Sequence, residues 1–336
     1  MTIEAWTRPS ARIRRMARIG LAAALALAAT AAAAAEDVNV RFSYKLKGEY
    51  GFFFMGQEKG VYAQAGLAPR FGEGASSQAA LGTLLQGQDD LVVMPGIFAM
   101  SAIQKGMPVK IVALYQPAAP SVLLSHPAKP VRVPKDLEGK TVAAPVGETP
   151  TTYLGIFCKI NNVDCSKVNR IQMNVQARVG QFMSNQIDVI GAYLTNDVPI
   201  IQEKAPEEII VLDQAKYGLI VPGLAVVASN DGIAKKGDMI RKFIAATSKA
   251  VELTRADPAG ATAALRAAWP NSPSAAVIQK QIEATSQSIP AATGGKPLGW
   301  TDASVITGAL ELMASVETID APKPADAFFT NTLLAN

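Results

Sequence analysis

Hydrophobic and polar positions in the first third of the chain follow the period of a strand and that of a helix in turn. The segment NVRFSY, residues 39–44, alternates as a half-buried strand does, whereas residues 52–64 (FFFMGQEKGVYAQ) have helical spacing and end at Ala65-Gly66. The alternation continues with predicted strands at 67–71, 90–94 and 109–115 and predicted helices at 78–85 and 98–105. This rhythm predicts an α/β layer architecture with a largely parallel sheet.

The same order of elements begins again after the polar turn at 134–139. Predicted strands lie at 141–144, 168–174, 188–193 and 209–212, and predicted helices at 149–161, 178–185 and 199–204. In both halves an acidic residue precedes a short apolar strand, as in QGQDDLVVM and SNQIDVIGAY. The repeated order predicts two similar lobes.

The predicted lobes divide the chain into three parts after the leader. Residues 36–132 begin the first lobe, 133–221 form the second, and 222–336 return to the first. The return consists of a strand at 223–228 and helices predicted at 238–255, 258–269, 274–285 and 300–315.

The first 35 residues have the pattern of a secretory signal peptide. Five arginines precede or enter an apolar run from Ile19 to Ala35, and three alanines before Glu36 fit the small-residue cleavage rule. A run of this length could also anchor the chain in a membrane, but its alanine-rich composition favours cleavage. We therefore expect a periplasmic protein that leaves the cytoplasm by the general secretory route.

Removal of this leader changes the charge of the chain. The whole sequence has 32 basic and 28 acidic residues, of which residues 1–35 hold five Arg and one Glu, so 27 of each sign remain. A balanced chain argues against a nucleic-acid partner, which requires a concentrated basic face. We expect no nucleic acid, no cofactor and no metal.

Two cysteines, Cys158 and Cys165, lie seven residues apart in this exported chain. A disulfide between them suits an oxidising compartment, and two unpaired thiols are the alternative. Two cysteines and the single histidine, His126, are too few for a Cys/His zinc cluster.

Enzyme motifs are missing from the sequence. It contains no G-x-S-x-G elbow, no P-loop and no G-x-G-x-x-G after a predicted strand, and one histidine leaves little room for a triad. We therefore predict a protein that is not an enzyme and has no catalytic residues.

Two loops of the first lobe are candidates for ligand binding, because ligands of open α/β sheets bind beyond the carboxyl ends of strands. The first loop carries Tyr50 and Phe52, and at least one residue of the run Phe52–Phe54 should face the cleft because neighbouring helical positions point about 100° apart. The second loop offers Gly74, Ser76 and Ser77, which can approach a ligand or only cap the next helix.

Two loops of the second lobe are candidates of the same kind. In PVGETPTT the residues Gly147, Glu148 and Thr149 precede a helix, with Thr149 expected as the N-cap, and Glu148 would suit an amine, a cation or a ring N–H. In VIGAYLTNDVPIIQEK an aromatic residue and a polar cluster stand together at a strand-to-helix junction. Their helix either caps itself or also holds a ligand.

Several segments in the same order resemble the SsuA/THI5-like (NMT1-like) solute-binding proteins of bacterial ABC transporters. The resemblance rests on the following stretches: GQEKGVYAQAGL (56–67), QGQDDLVVMPG (86–96), FAMSAIQKGMPVKIVA (98–113), KDLEGKTVAAPVGE (135–148), NQIDVIGAYLTNDVP (185–199) and the segment 317–334. It implies a two-lobed type II periplasmic-binding-protein fold, each lobe a mainly parallel sheet flanked by helices, with a ligand cleft between the lobes. Pro95 joins the candidate ligand residues through the second stretch.

One part of the resemblance bears on the ligand. Tyr193, Thr195 and Asn196 match the Y-x-T-N-E-P-like text of a branch that binds thiamine-pyrimidine precursors or riboflavin-like rings, whereas Asp197 replaces the Glu and Val198 precedes the proline. The resemblance thus implies a flat heteroaromatic ligand that stacks on Tyr50 or a neighbouring Phe, with Asn196 and Asp197 reading its edges.

The predicted function is the periplasmic solute-binding component of an ABC importer, a monomer that delivers a small molecule to an inner-membrane permease. The alternative ligands are small organic anions such as taurine, alkanesulfonates, nitrate or aromatic carboxylates, held by Lys45, Lys47 and helix N-termini. Alternatives of other classes are an exported enzyme on the same fold and a sensor domain that presents its ligand to a different membrane partner.

Overall fold

The computed structural model describes residues 35–145, 147–204, 208–292, 294–315 and 321–334. The predicted signal peptide, except for Ala35, lies outside the described residues. Two sheets of five strands each are present in the described ranges. Their strands are β1 (Glu36–Phe42), β2 (Leu67–Gly72), β3 (Leu91–Pro95), β4 (Val109–Leu114), β5 (Ser121–Ser125), β6 (Thr141–Ala143), β7 (Asn169–Ile171), β8 (Val189–Tyr193), β9 (Ile210–Asp213) and β10 (Leu224–Ser229).

The two sheets have related topologies. The first has the order β2-β1-β3-β10-β4 and the second the order β7-β6-β8-β5-β9. In the first sheet β10 runs antiparallel to β3 and β4, and in the second β5 runs antiparallel to β8 and β9, while the pairs β1–β2, β1–β3, β6–β7 and β6–β8 are parallel. The predicted mainly parallel architecture is confirmed. Below, lobe 1 is the first sheet with the helices packed on it, and lobe 2 is the second sheet with its helices.

Helices flank both sheets. The described helices are α1 (Gly51–Glu58), α2 (Val61–Gln64), α3 (Ser77–Leu85), α4 (Gly96–Gln104), α5 (Thr149–Thr152), α6 (Leu154–Ile160), α7 (Val175–Met183), α8 (Asp197–Lys204), α9 (Asn230–Ala256), α10 (Pro258–Ala268), α11 (Ala275–Ser288) and α12 (Ala303–Ala314). The helix predicted at 52–64 is divided into α1 and α2, because Gly60 adopts the left-handed conformation with φ 67°.

Strand β5 has no counterpart in the sequence prediction. It pairs with β8 and β9, so Ser121–Ser125 belongs to the second sheet although the predicted second lobe begins only at residue 133. All five residues of β5 are buried. Its place in the second sheet depends on pairing with strands far along the chain, which no local pattern indicates. The predicted return strand at 223–228, in contrast, is observed as β10 between β3 and β4.

Two crossover segments, 115–120 and 214–223, connect the sheets and hydrogen-bond to each other. Gly223 N donates to Gln116 O over 2.8 Å, and Ala119 N donates to Val221 O over 2.7 Å. The side chain of Gln116 adds a bond from Leu224 N over 3.0 Å. Paired crossovers of this kind are where hinge motion between two lobes is absorbed.

The three consecutive phenylalanines of α1 are all buried in the core of lobe 1. Phe52 contacts Tyr115 with ring centroids 5.5 Å apart, and Phe53 stacks on Phe243 of α9 at 6.3 Å. Because α9 and α10 pack on α1, this helix is covered by other helices as well as by the sheet. The structure thus places the run in the core and does not bring out the cleft-facing phenylalanine that the sequence analysis expected.

The two cysteines are joined by a disulfide in the structure. It links Cys158 at the end of α6 to Cys165, with the Cα atoms 5.7 Å apart. None of the helices in the described ranges is long and apolar enough to span a bilayer.

Candidate functional site

A buried arginine lies between the two candidate loops of lobe 2. Arg178 on α7 has a side chain that is 2% exposed, and its Nη2 lies 2.8 Å from Glu148 Oε1 and 3.0 Å from Asp197 Oδ1. Its Nε donates to both oxygens of Glu148 at 3.1 and 3.2 Å. The loops that carry these carboxylates follow β6 and β8, which are parallel neighbours, so one guanidinium ties both loops together at one edge of the sheet.

The charges in this cluster shift one another's proton affinities. Burial alone would lower the pKa of Arg178, but Asp197 and Glu148 raise it above the ordinary value, so the guanidinium stays cationic. Burial raises the pKa of Glu148, and Arg178 opposes that shift. The Nη1 atom of Arg178 is buried and has no hydrogen-bond partner among the described residues.

The tyrosine that ends β8 joins the same two loops by hydrogen bonds. Its hydroxyl accepts from Thr149 N over 3.0 Å, and its own N–H donates to Asp197 Oδ2 over 2.8 Å. Thr149 is the first residue of α5, so Tyr193 satisfies a backbone N–H that has no partner within the helix. Burial raises the pKa of Tyr193 to about 12, which keeps its hydroxyl protonated and able to donate.

Lobe 1 contributes a stacked aromatic pair. The rings of Phe42 and Tyr50 are 4.0 Å apart with an interplanar angle of 9°. Burial raises the pKa of Tyr50 to about 12. This pair ends β1 and opens α1, which places it at the carboxyl edge of the first sheet, where a ligand is expected.

An ammonium group lies between the aromatic residues of the two lobes. Lys47 Nζ is 5.2 Å from the ring centroid of Tyr50 and 5.5 Å from that of Tyr193, and it lies 2.6 Å from Glu49 Oε2. Cation–π contacts at such distances contribute about 0.5–2 kcal/mol each, depending on desolvation. Burial alone would lower the pKa of Lys47, but Glu49 and the two tyrosines raise it. We call the space between the rings of Tyr50 and Tyr193 the tyrosine slot.

A hydrogen-bonded latch connects the lobes beside the tyrosine slot. Gln281 on α11 accepts from Gly48 N over 2.9 Å and donates to Asn196 O over 2.8 Å. Asn196 Oδ1 accepts from Glu49 N over 3.4 Å. Asn196 therefore bonds to lobe 1 through both its backbone and its side chain, and Gln281 is 1% exposed.

The sequence of residues 48–261, more than half of the chain, matches the family described as NMT1/THI5 like. The chain belongs to this family. The resemblance found in the sequence analysis is confirmed by this match.

Several known proteins are similar to this chain in sequence or in fold. The riboflavin-binding protein RibY of Chloroflexus aurantiacus is 23% identical over 305 residues, which cover 88% of this chain and 85% of that protein. The periplasmic aliphatic sulphonate binding protein SsuA of Escherichia coli is 16% identical with a TM-score of 0.71, covering 89% of this chain and 98% of SsuA. The periplasmic nitrate-binding protein NrtA of Synechocystis PCC 6803 is 13% identical with a TM-score of 0.66, covering 88% of this chain and 86% of NrtA. The predicted two-lobed periplasmic-binding-protein fold is thereby confirmed.

The structure brings half of the predicted ligand residues into one cluster. These are Tyr50, Glu148, Thr149, Tyr193, Asn196 and Asp197. Their use in binding stays a prediction for this NMT1/THI5-like protein. Both oxygens of Asp197 are occupied within lobe 2, and Asn196 belongs to the latch, so neither is arranged primarily to read the edge of a ring.

The other predicted residues lie in different settings. Ser76 is exposed and caps α3, its Oγ accepting from Ala79 N over 3.1 Å, and Ser77 is the first residue of that helix. Gly74 is needed for packing, because a Cβ there would collide with the backbone of Phe42. The remaining three lie in other places: Phe52 in the core, Pro95 at the start of α4 and Gly147 exposed in its loop.

One capping prediction is wrong in detail. Thr149 was expected as the N-cap of its helix, but the N-cap is Glu148, whose side chain makes no capping bond. Glu148 is instead turned to Arg178, and the Thr149 N–H is bonded by Tyr193. The Thr149 Oγ1 atom is buried without a partner in the described part of the chain.

Two residues of the cluster were missed by sequence analysis. The sequence could have indicated that Arg178 is buried, because this residue lies one helical turn before the buried Phe182 and therefore on the apolar face of α7. No local pattern could have indicated the role of Gln281, because its partners Gly48 and Asn196 are 233 and 85 residues away along the chain.

Replacing Tyr193 by phenylalanine should destabilise lobe 2. The change leaves the Thr149 N–H without its partner, and an unpaired buried donor costs about 1–3 kcal/mol in the free energy of unfolding. Urea unfolding measures this loss. Tyr217→Phe is the control, because it removes only an exposed bond to Arg132 O; equal stability of the two variants would contradict the assigned role.

Replacing Gln281 by leucine should open the cleft of the ligand-free protein. The change keeps the apolar stem but removes both hydrogen bonds of Gln281, of which the one to Asn196 O joins the lobes. Only the longer bond from Glu49 N to Asn196 Oδ1 is left in the latch, so the population shifts toward separated lobes. Small-angle X-ray scattering should show a larger radius of gyration than for the wild type. Gln279→Leu, which breaks only a bond to Glu283 on the same helix, should leave the radius unchanged. An unchanged radius of gyration for Gln281→Leu would show that Gln281 does not hold the lobes together.

Proposed function

We propose that this protein is the solute-binding component of an ABC importer and that its lobes close on a planar heteroaromatic ligand. Membership of the NMT1/THI5-like family and the two-lobed fold support the binding role. The observation that carries the ligand class is the tyrosine slot, where one aromatic ring from each lobe lies against the same ammonium group, that of Lys47.

A planar ring entering the tyrosine slot would find both stacking surfaces and polar partners. Tyr50 is already supported from behind by Phe42, and ring stacking of this kind is worth about 0.5–1.5 kcal/mol beyond area burial. On the lobe 2 side, Thr149 Oγ1 and Arg178 Nη1 are buried polar atoms without partners among the described residues. A heterocycle with acceptor atoms along its edge would satisfy them.

The charges around the slot favour this ligand class over small organic anions. Lys45, one of the two lysines expected to hold an anion, is paired with Glu73 at 3.1 Å, and the other, Lys47, is paired with Glu49 at 2.6 Å. Arg178 is shared between two carboxylates. Two cations thus face three carboxylates around the slot, and an incoming anion would meet a net negative site.

The name of one relative points in the same direction. RibY is described as binding riboflavin, which contains a planar heteroaromatic ring system, whereas SsuA and NrtA, described as binding sulphonate and nitrate, share only the fold with this chain. The predicted signal peptide supports export to the periplasm. Other proteins of similar fold are described as the binding components of ABC import systems or ABC transporters, which supports delivery to a transporter permease. We propose binding without turnover by a monomer.

Ligands of the proposed class should raise the melting temperature of the purified protein. The panel contains riboflavin and an uncharged aminopyrimidine on one side, and taurine, ethanesulfonate, nitrate and benzoate on the other. A ligand at one hundred times its Kd adds about 2.7 kcal/mol to the free energy of unfolding. Differential scanning fluorimetry should therefore detect a heteroaromatic ligand but none of the anions.

The same panel can also contradict the proposed ligand class. If only anions raise the melting temperature, the heteroaromatic class is wrong and the binding role stands. Chromatography of the recovered ligand tests the other alternative, because conversion of a bound heterocycle into a product would show an enzyme.

A further inference from the structure

The side chain of Lys47 occupies the place that the proposed function gives to the ligand. Its Nζ lies within 5.5 Å of both ring centroids, and the ring of Phe42 stacks on Tyr50 at 4.0 Å. A ligand ring that takes the place between the two tyrosines must therefore displace the ammonium.

The surroundings of this ammonium are those of a cation site. Two tyrosine rings offer their electron-rich faces, and Glu49 supplies a carboxylate oxygen at 2.6 Å. Glu49 is 5% exposed, so its carboxylate would lose its charged partner at a largely buried position if Lys47 moved away. Glu148, 7% exposed, adds a second carboxylate to the same cluster.

We infer that Lys47 stands in for the ligand: the tyrosine slot is a cation-binding site, and the ligand presents a positively charged or protonatable nitrogen to Glu49 when it displaces Lys47. The cation site follows from the geometry of Lys47, Glu49 and the two rings. Only the statement about the ligand rests on the proposed function. The ligand class then narrows to nitrogen heterocycles that carry a cationic group or an amidine-like edge.

The alternative is that Lys47 remains in the slot and itself contacts the ligand. In that case the slot would never be open to a foreign cation, and removal of the lysine would weaken binding of every ligand. The two arrangements therefore differ in what happens when the lysine is shortened.

The test uses tetramethylammonium, a small cation that aromatic cages bind through cation–π contacts. In Lys47→Ala the slot is vacated while both rings and both carboxylates are kept, so isothermal titration calorimetry should show tetramethylammonium binding at least tenfold tighter than to the wild type. Lys45→Ala is the matched control, because Lys45 is 67% exposed and is paired with Glu73 outside the slot. It should bind the cation no better than the wild type.

A second variant keeps the test decisive if Lys47→Ala alone does not fold. Lys47→Ala leaves Glu49 buried without its partner, whereas Lys47→Ala/Glu49→Gln removes both charges. The double variant should bind tetramethylammonium less tightly than the single variant and more tightly than the wild type. Equal affinities in wild type and both variants, or no binding by folded variants, would overturn the inference.

Failure of this test is separate from failure of the proposed function. Tetramethylammonium probes the slot without any knowledge of the natural ligand, and the melting panel on the wild-type protein probes the ligand class without any variant. A heteroaromatic hit with no cation binding by Lys47→Ala would keep the proposed function and remove only the stand-in role of Lys47.

Discussion

The arrangement of the site depends on the buried guanidinium of Arg178. It holds Glu148 and Asp197, and through them the loops that follow β6 and β8. Asp197 in turn accepts a hydrogen bond from the backbone N–H of Tyr193. The Tyr193 hydroxyl accepts one from the backbone N–H of Thr149, the first residue of α5. Removing one partner of a buried ion pair costs about 3–5 kcal/mol, so these loops keep their positions only while all three charges are present.

From this anchored edge the cluster extends into lobe 1. Tyr193 borders the tyrosine slot from lobe 2 and Tyr50 borders it from lobe 1, with the ammonium of Lys47 between them. The latch of Gln281 and Asn196 lies beside the slot and joins the lobes directly. The contacts between the lobes and the proposed ligand contacts thus belong to neighbouring residues, which accounts for a tyrosine beside the polar cluster at the end of β8.

Much of the fold could be predicted from the sequence because short apolar runs between turn residues indicate strands, and apolar residues at helical spacing indicate helices. The predicted strands of both sheets correspond to observed ones, and so does the return of the chain into lobe 1. Strand β5 was missed, and its membership of the second sheet could not be predicted, because its pairing with β8 and β9 joins residues far apart in the sequence. The phenylalanines of α1 were misjudged because the covering helices come from residues about 200 positions later in the chain.

The loops of the candidate site could be predicted from the sequence, whereas the side-chain contacts that join these loops could not. Glu148, Thr149, Tyr193, Asn196 and Asp197 stand at strand ends, where a general rule places ligands. The partners that decide their roles, Arg178 and Gln281, stand on helices and are defined only by packing. An arginine on an apolar helix face is the one local signal that pointed to such a connection.

Native mass spectrometry of protein purified without denaturation can decide whether the lobes close on a planar, non-anionic heteroaromatic ligand. We expect an added mass that fragmentation identifies as a nitrogen heterocycle, uncharged or cationic. A co-purified sulfonate, carboxylate or nitrate, released as an anion, would contradict it.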